Sequence, residues 1–349
     1  MVDIIDNIKS EKEVYKDIRM LLYKIRYCRS KSAFEQLTEE LNSLYQLCDE
    51  FDLFDALEPE KYISRGITIE DNIIKKRYYL NEANRFINYI SNNIEHFLNF
   101  SDQNNLFENF YYDSEATHLN KITDTNEIIE YAYEFMKDYD QKFVEAFNLL
   151  KKKNHFLISK KNVFDLYEGV FIPNKYCDYP YIGVFFSENI DDASSIVHEV
   201  AHMIHHNYAK NNLKTRNYPY FYQEVYSHYI QFAFYEYMKK KKIYIEDINN
   251  SFKASLFLLG SNLESINYTL ENDDCFNYED LFYDIQYGYG ITIALKYLDI
   301  YKDDPEKAKY LTNQFIQQSY YYEPIENLNE FGLDKEELTS GELIKKYLK

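Results

Sequence analysis

The sequence predicts a mainly α-helical fold with one small β-sheet set just before a histidine-rich helix. Three observations carry that prediction. Gly and Pro number only 8 and 6 in 349 residues, too few for a linker-rich chain. Apolar residues recur at helical spacing through most of the sequence, as in Val14, Ile18, Leu21, Leu22 and Ile25. Between His155 and Glu188 the texture changes to short apolar runs bounded by Pro, Gly and Asn, which reads as strands.

Taken in order, helical patterns cover segments near 10–28, 32–56, 69–99 and 124–152, with Asp124 or Thr125 as the cap of the last. Tyr181-Ile-Gly-Val-Phe-Phe186 is the best strand candidate. Asp191-Asp-Ala-Ser-Ser then supplies capping residues for the helix that carries the histidines. A loop near Lys210 to Asn217 leads to Pro219 as an early helical residue and a helix through about Lys240. Helical spacing resumes from roughly Ser251 to the C-terminus. The expected organisation is a helical N-terminal region over 1–152 and a second region over 153–349, whose sheet lies at about 155–187.

Composition narrows the function classes. A net charge of −19, from 58 acidic and 39 basic residues, repels phosphate backbones and anionic lipid, so neither nucleic acid nor membrane is an expected partner. The 38 tyrosines carry no functional message, since abundant Tyr, Asn, Lys and Ile also follow from an AT-rich coding bias. Cys28, Cys48, Cys177 and Cys275 are scattered, without a C-x-x-C pair, which fits a reducing compartment rather than a disulfide framework. The first residues lack the basic start and apolar run of a signal peptide. No apolar run nears the roughly 18 residues of a membrane span, so a cytoplasmic protein is expected. Its oligomeric state is not readable.

The stretch IVHEVAHMIHHNY, residues 196–208, puts four histidines and a glutamate within nine positions. Residues four apart share a helix face, so His198 and His202 can bind one ion with Glu199 beside them. This H-E-x-x-H spacing suits two zinc-ligating imidazoles and a carboxylate that activates water. The competing explanation is a helix whose histidines are satisfied within the core. That is less economical in an otherwise apolar helix, where unpaired polar groups are costly.

One catalytic zinc per chain needs a third protein ligand and an open position. Glu224, 22 residues past His202, is the expected third ligand after a chain reversal, and His228, one turn further on, is its competitor. His205 and His206 ride on the motif's own helix. The metzincin extension is excluded, because His205 and Tyr208 stand where it requires Gly and His.

The segments PYIGVFFSENIDDASSIVHEVAHMIHHNY and YPYFYQEVYSHYIQF resemble the thimet oligopeptidase and oligoendopeptidase F family of zinc peptidases. His198, Glu199, His202, His205, Glu224, Val225 and Ser227 match its motifs by position. Phe282-Tyr-Asp-Ile-Gln-Tyr-Gly-Tyr-Gly290 is similar to the family's tyrosine-rich stretch, which stabilises the reacting carbonyl. The resemblance covers about residues 160–300 and implies a helical zincin-type peptidase with its small sheet beside the active-site helix. It also implies a short peptide as substrate, and residues 1–152 as one wall of a cleft.

Glu199 is then the expected general base, with Tyr283, Tyr287 and Tyr289 as candidate catalytic tyrosines and Tyr278 as a further one. Departures from the family pattern are Gln231 in place of a glutamate, Ile285 in place of a tyrosine, no histidine counterpart near Phe276 and Asn277, and a shorter chain. A peptide-binding descendant without catalysis is the non-enzyme alternative. A di-iron bundle using Glu199–His202 and Glu115–His118 is another, which leaves His198 unused.

Overall fold

The structure is a computed structural model that describes residues 30–48, 120–159, 169–172, 179–210, 222–271, 278–318 and 328–348, with isolated positions before residue 30 and at 99. Pro219, Glu115, His118 and most of the expected helices 10–28 and 69–99 lie outside the described residues. Within them the fold is mainly α-helical, with one small sheet. No described helix is long and apolar enough to cross a membrane.

The first helix, α1 (Lys31–Cys48), is followed after a gap by α2 (Thr125–Tyr139) and α3 (Gln141–Lys152). The sequence reads 124–152 as one helix, but Asp140 divides it. Its extended backbone ends α2, and its carboxylate accepts the Lys142 N–H at 2.9 Å to start α3. Asp124 caps α2 in the same way, accepting from the Asn126 N–H at 2.8 Å.

Strands β1 (Phe156–Ser159), β2 (Gly169–Ile172) and β3 (Tyr181–Phe185) form a sheet in the order β1-β3-β2, parallel between β1 and β3 and antiparallel between β2 and β3. Side chains alternate between its faces, as the pleat requires. Phe156, Ile158, Phe171, Ile182 and Val184 enter the main core, while Leu157, Val170, Ile172, Tyr181 and Phe185 meet Phe34, Leu41 and Leu44 of α1. Strand 181–185 is therefore central and buried. It offers no edge to an incoming peptide, because both of its edges are taken by β1 and β2.

The sheet leads into α4 (Asp191–Lys210), and α5 (Gln223–Lys241), α6 (Ile245–Glu271), α7 (Tyr278–Asp303) and α8 (Pro305–Gln318) follow. A 3-10 turn at Leu328–Phe331 and two short helices, α9 (Lys335–Thr339) and α10 (Glu342–Leu348), end the described chain. Helix α5 is apolar on nearly every side and buried from Glu224 through Tyr235, which fits a helix packed between neighbours. It lies against α4 and α7, so the preceding helix and one more distant in sequence both reach its polar residues. The ends of α2 and α3 join the same core through Phe135, Phe143 and Phe147.

Candidate metal centre

The rotation of α4 is set at its start. Asn189 accepts the Asp191 N–H at 2.8 Å, and the Asp192 carboxylate accepts the main-chain N–H groups of Ser187 and Asn189 at 3.0 and 3.3 Å. Two turns on, His198, Glu199 and His202 emerge together. Glu224 sits in the first turn of α5, where the free N–H groups of a helix start favour a carboxylate.

Three atoms of these side chains converge. The Nε2 atoms of His198 and His202 are 3.1 Å apart, and Glu224 Oε2 lies 3.2 Å from the first and 3.3 Å from the second. His202 and Glu224 are buried, and the His198 side chain is 12% exposed. Three ligands on one tetrahedral zinc, with bonds near 2.0–2.1 Å, stand about 3.3 Å from one another. The triangle has that size, so the buried His198–His202–Glu224 group can hold a metal ion.

The charges agree with this geometry. Burial alone would push the Glu224 carboxyl up, but the charges and hydrogen bonds of His202 and His198 outweigh it and hold the group well below the usual carboxylate range. Burial likewise works against a charged His198, and the hydrogen bond and charge of Glu224, followed by the charge of Glu199, raise it overall. The Glu199 carboxyl goes the other way. Burial pushes it up, and the neighbouring His202 and His198 offset only part of that. Its Oε2 is buried without a hydrogen-bond partner among the described residues.

Two glycines that the sequence reading did not single out pack against the site. A Cβ on Gly169, at the start of β2, would come within 2.6 Å of Glu199 Oε1, and one on Gly290 in α7 would come within 2.6 Å of the Glu224 Cβ. Two residues along β2, Phe171 stacks on the His202 ring at 5.4 Å.

Gln286, also missed, donates from Nε2 to Glu224 Oε1 at 3.2 Å, and Ser227 Oγ donates to Oε2 at 3.2 Å and to the Glu224 carbonyl at 3.0 Å. The available signal was a glutamine on a buried helix with no apolar reason to be there. Gln231 Oε1 lies 3.1 Å from His198 Nδ1.

His228, the competitor for the third ligand, is not in the converging group. Its ring stands 4.9 Å from that of His198, and burial holds its imidazole at about 3, so it is uncharged at neutral pH. His205 is also held at about 3, chiefly by burial.

Among the tyrosines, Tyr287 comes nearest this chemistry. Its ring is 5.6 Å from that of His228, and burial, followed by the charge of Glu224 and, more weakly, of Glu199, keeps its phenol protonated. The Tyr283 ring lies tilted against that of Tyr287, with centroids 4.3 Å apart. Tyr289 turns to a different set of neighbours, packing edge-on against Tyr222 at 6.0 Å, and only burial raises its phenol. Tyr278 lies in the first turn of α7, and its side chain is outside what is described.

No family model and no curated protein match this sequence. Two solved structures are similar to it. A candidate oligoendopeptidase F from Bacillus anthracis str. Ames matches at a TM-score of 0.56 and 14% identity, over 97% of this chain and 71% of the other. A candidate peptidase from Chlamydophila abortus matches at a TM-score of 0.47 and 14% identity, over 97% of this chain and 62% of the other. At such identity the first likeness is one of fold alone: the helical architecture with its small sheet is shared with that structure.

Proposed function

We propose that this chain is a zinc-dependent peptidase that hydrolyses peptide bonds in short peptides, with His198, His202 and Glu224 holding one zinc ion. The observation that carries the reading is the convergence of two Nε2 atoms and one carboxylate oxygen at 3.1–3.3 Å, with the unpartnered carboxylate of Glu199 on the same helix. Zinc bound there would supply Lewis acidity, acidifying water towards a pKa of about 7 and polarising a carbonyl.

The protein's own groups do the rest. Glu199 takes one proton from the attacking water as its oxygen bonds to the peptide carbon, then delivers that proton to the amine as the C–N bond breaks. Tyr287, with a phenol that stays protonated, is the favoured donor to the developing oxyanion, and Tyr283 holds its ring from behind. Tyr289, packed on Tyr222, serves the core in this reading.

Among the described residues strand β2 is the sheet edge beside Glu199, so an extended peptide would pair with it rather than with the buried β3. Gly169 leaves room there for the Glu199 side chain. The resemblance to oligopeptidases favours a peptide over a folded protein as substrate. Equal cleavage of a short peptide and of a folded protein containing the same site would remove that size limit.

The reading is tested by incubating zinc-loaded protein and its Glu199→Gln variant with a mixed peptide library and reading the products by mass. Cleavage by the parent, and loss of cleavage by a variant that keeps its zinc, is the expected result. A parent that holds zinc and cleaves nothing would overturn the reading.

A further inference from the structure

Behind His198, on the side away from Glu224, a buried polar chain links α4 to α5. Gln231 Oε1 faces two imidazoles, His198 Nδ1 at 3.1 Å and His228 Nδ1 at 3.3 Å. Its Nε2 faces two hydroxyls, Ser194 Oγ at 3.2 Å and Tyr235 OH at 3.0 Å, which themselves lie 3.2 Å apart. All of one amide's capacity is engaged: an oxygen that only accepts and a nitrogen that only donates.

An amide of this kind has two self-consistent orientations, because hydroxyls can donate as well as accept and each imidazole has two tautomers. With the amide as found, both imidazoles carry their proton on Nδ1, which leaves a lone pair on Nε2. With the amide turned over, both would carry it on Nε2, and His198 would present a proton where a metal ligand needs a lone pair.

His228 decides between them. Its Nε2 is buried and has no hydrogen-bond partner among the described residues. A proton there would be a buried donor with no acceptor among the described residues, whereas a bare lone pair costs less. The proton of His228 therefore sits on Nδ1 and must be accepted, which fixes the oxygen of Gln231 on that side. Once the oxygen is fixed, His198 can only donate to it.

We propose that His228 is a positioning residue that acts through Gln231 to set the tautomer of His198, so that the Nε2 lone pair of His198 points into the triad with Glu224 and His202. This deepens the zinc reading and rests on it for its consequence in affinity. The tautomers themselves do not depend on that reading. His228 keeps its place in the site as the residue that orients a ligand through one intervening side chain. The neutral amide at 231 is what makes such a setter necessary, since a carboxylate accepts through either oxygen.

The test is zinc affinity by chelator competition on the parent, His228→Phe, and the double variant His228→Phe with Gln231→Glu, together with imidazole nitrogen shifts by NMR. Phe keeps the ring shape but frees the amide to turn, so zinc should bind about 10- to 100-fold more weakly, the usual cost of losing an outer partner of a ligating histidine. Gln231→Glu in the same background should recover most of that loss, because it cannot present a donor to His198. A general packing defect would not be rescued in this way.

Zinc binding by His228→Phe at the parent's affinity would overturn the proposal. In the parent, a protonated Nδ1 and a bare Nε2 on His228 are expected, and a proton on its Nε2 would overturn the proposal even if the variants fail to fold. A parent that binds no zinc while showing the expected His228 tautomer would instead count against the zinc reading alone.

Discussion

The two sides of the His198–His202–Glu224 group are built in opposite ways. Behind it His198 and Glu224 are held by polar partners: Gln231 serves His198, while Gln286 and Ser227 serve Glu224. In front of it Glu199 is buried with an oxygen that has no hydrogen-bond partner among the described residues, and a glycine, Gly169, is pressed against its other oxygen. Saturated groups in a dry interior are held in one arrangement, while an unsatisfied buried carboxylate costs free energy that only a ligand, water or ion can recover. The back is thus made to hold and the front to react.

If that division is right, substitutions in front should lower turnover and leave metal binding intact, and substitutions behind should do the reverse. The largest effect is expected from Glu199→Gln, with kcat reduced about 10²- to 10⁴-fold, the usual range for a general base, and zinc content unchanged by elemental analysis. Next comes Gly290→Ala. The added methyl meets the Cβ of Glu224 at 2.6 Å, neither backbone can yield without parting α5 from α7, and overpacking of this kind costs about 1–3 kcal/mol. Thermal melting should fall and zinc affinity with it.

Gln286→Leu removes the donor to Glu224 Oε1 and should weaken zinc binding by about 10-fold at the lower end of such outer-partner effects, with melting temperature much less affected than in Gly290→Ala. The smallest effect is expected from Gly169→Ala. Its methyl meets the far end of the flexible Glu199 side chain, so Glu199 should shift, kcat should drop several-fold, and zinc affinity should hold. A Gly169→Ala protein that loses zinc would blur the proposed division between front and back.

Much of this layout is legible in the sequence, for identifiable reasons. The pair His198 and His202 is visible because helical periodicity is local, and Glu224 because one chain reversal returns α5 beside α4. The strand 181–185 is visible for the same local reason, but its central position is not. Strand order depends on where β1 and β2 land, and no pattern within the strand records that.

The break at Asp140 escapes because neither Gly nor Pro marks it, only a capping aspartate within an otherwise continuous helical pattern. Gln231 stands out in the sequence only as a departure from a family pattern. Its role emerges when Ser194, His198, His228 and Tyr235 are brought around it. Gly169 and Gly290 are equally silent, since the need for a missing Cβ belongs to the opposing residue, which lies far off in the chain.

The central claim is that one ion is gripped by two imidazoles of α4 and one carboxylate of α5. Its most direct test is the metal content of purified protein after zinc loading and exhaustive dialysis, measured for the parent and for Glu224→Ala with the fold checked by circular dichroism. One zinc per chain in the parent, lost in the folded variant, is the predicted result. A parent that retains no metal, or a variant that retains as much as the parent, would contradict it.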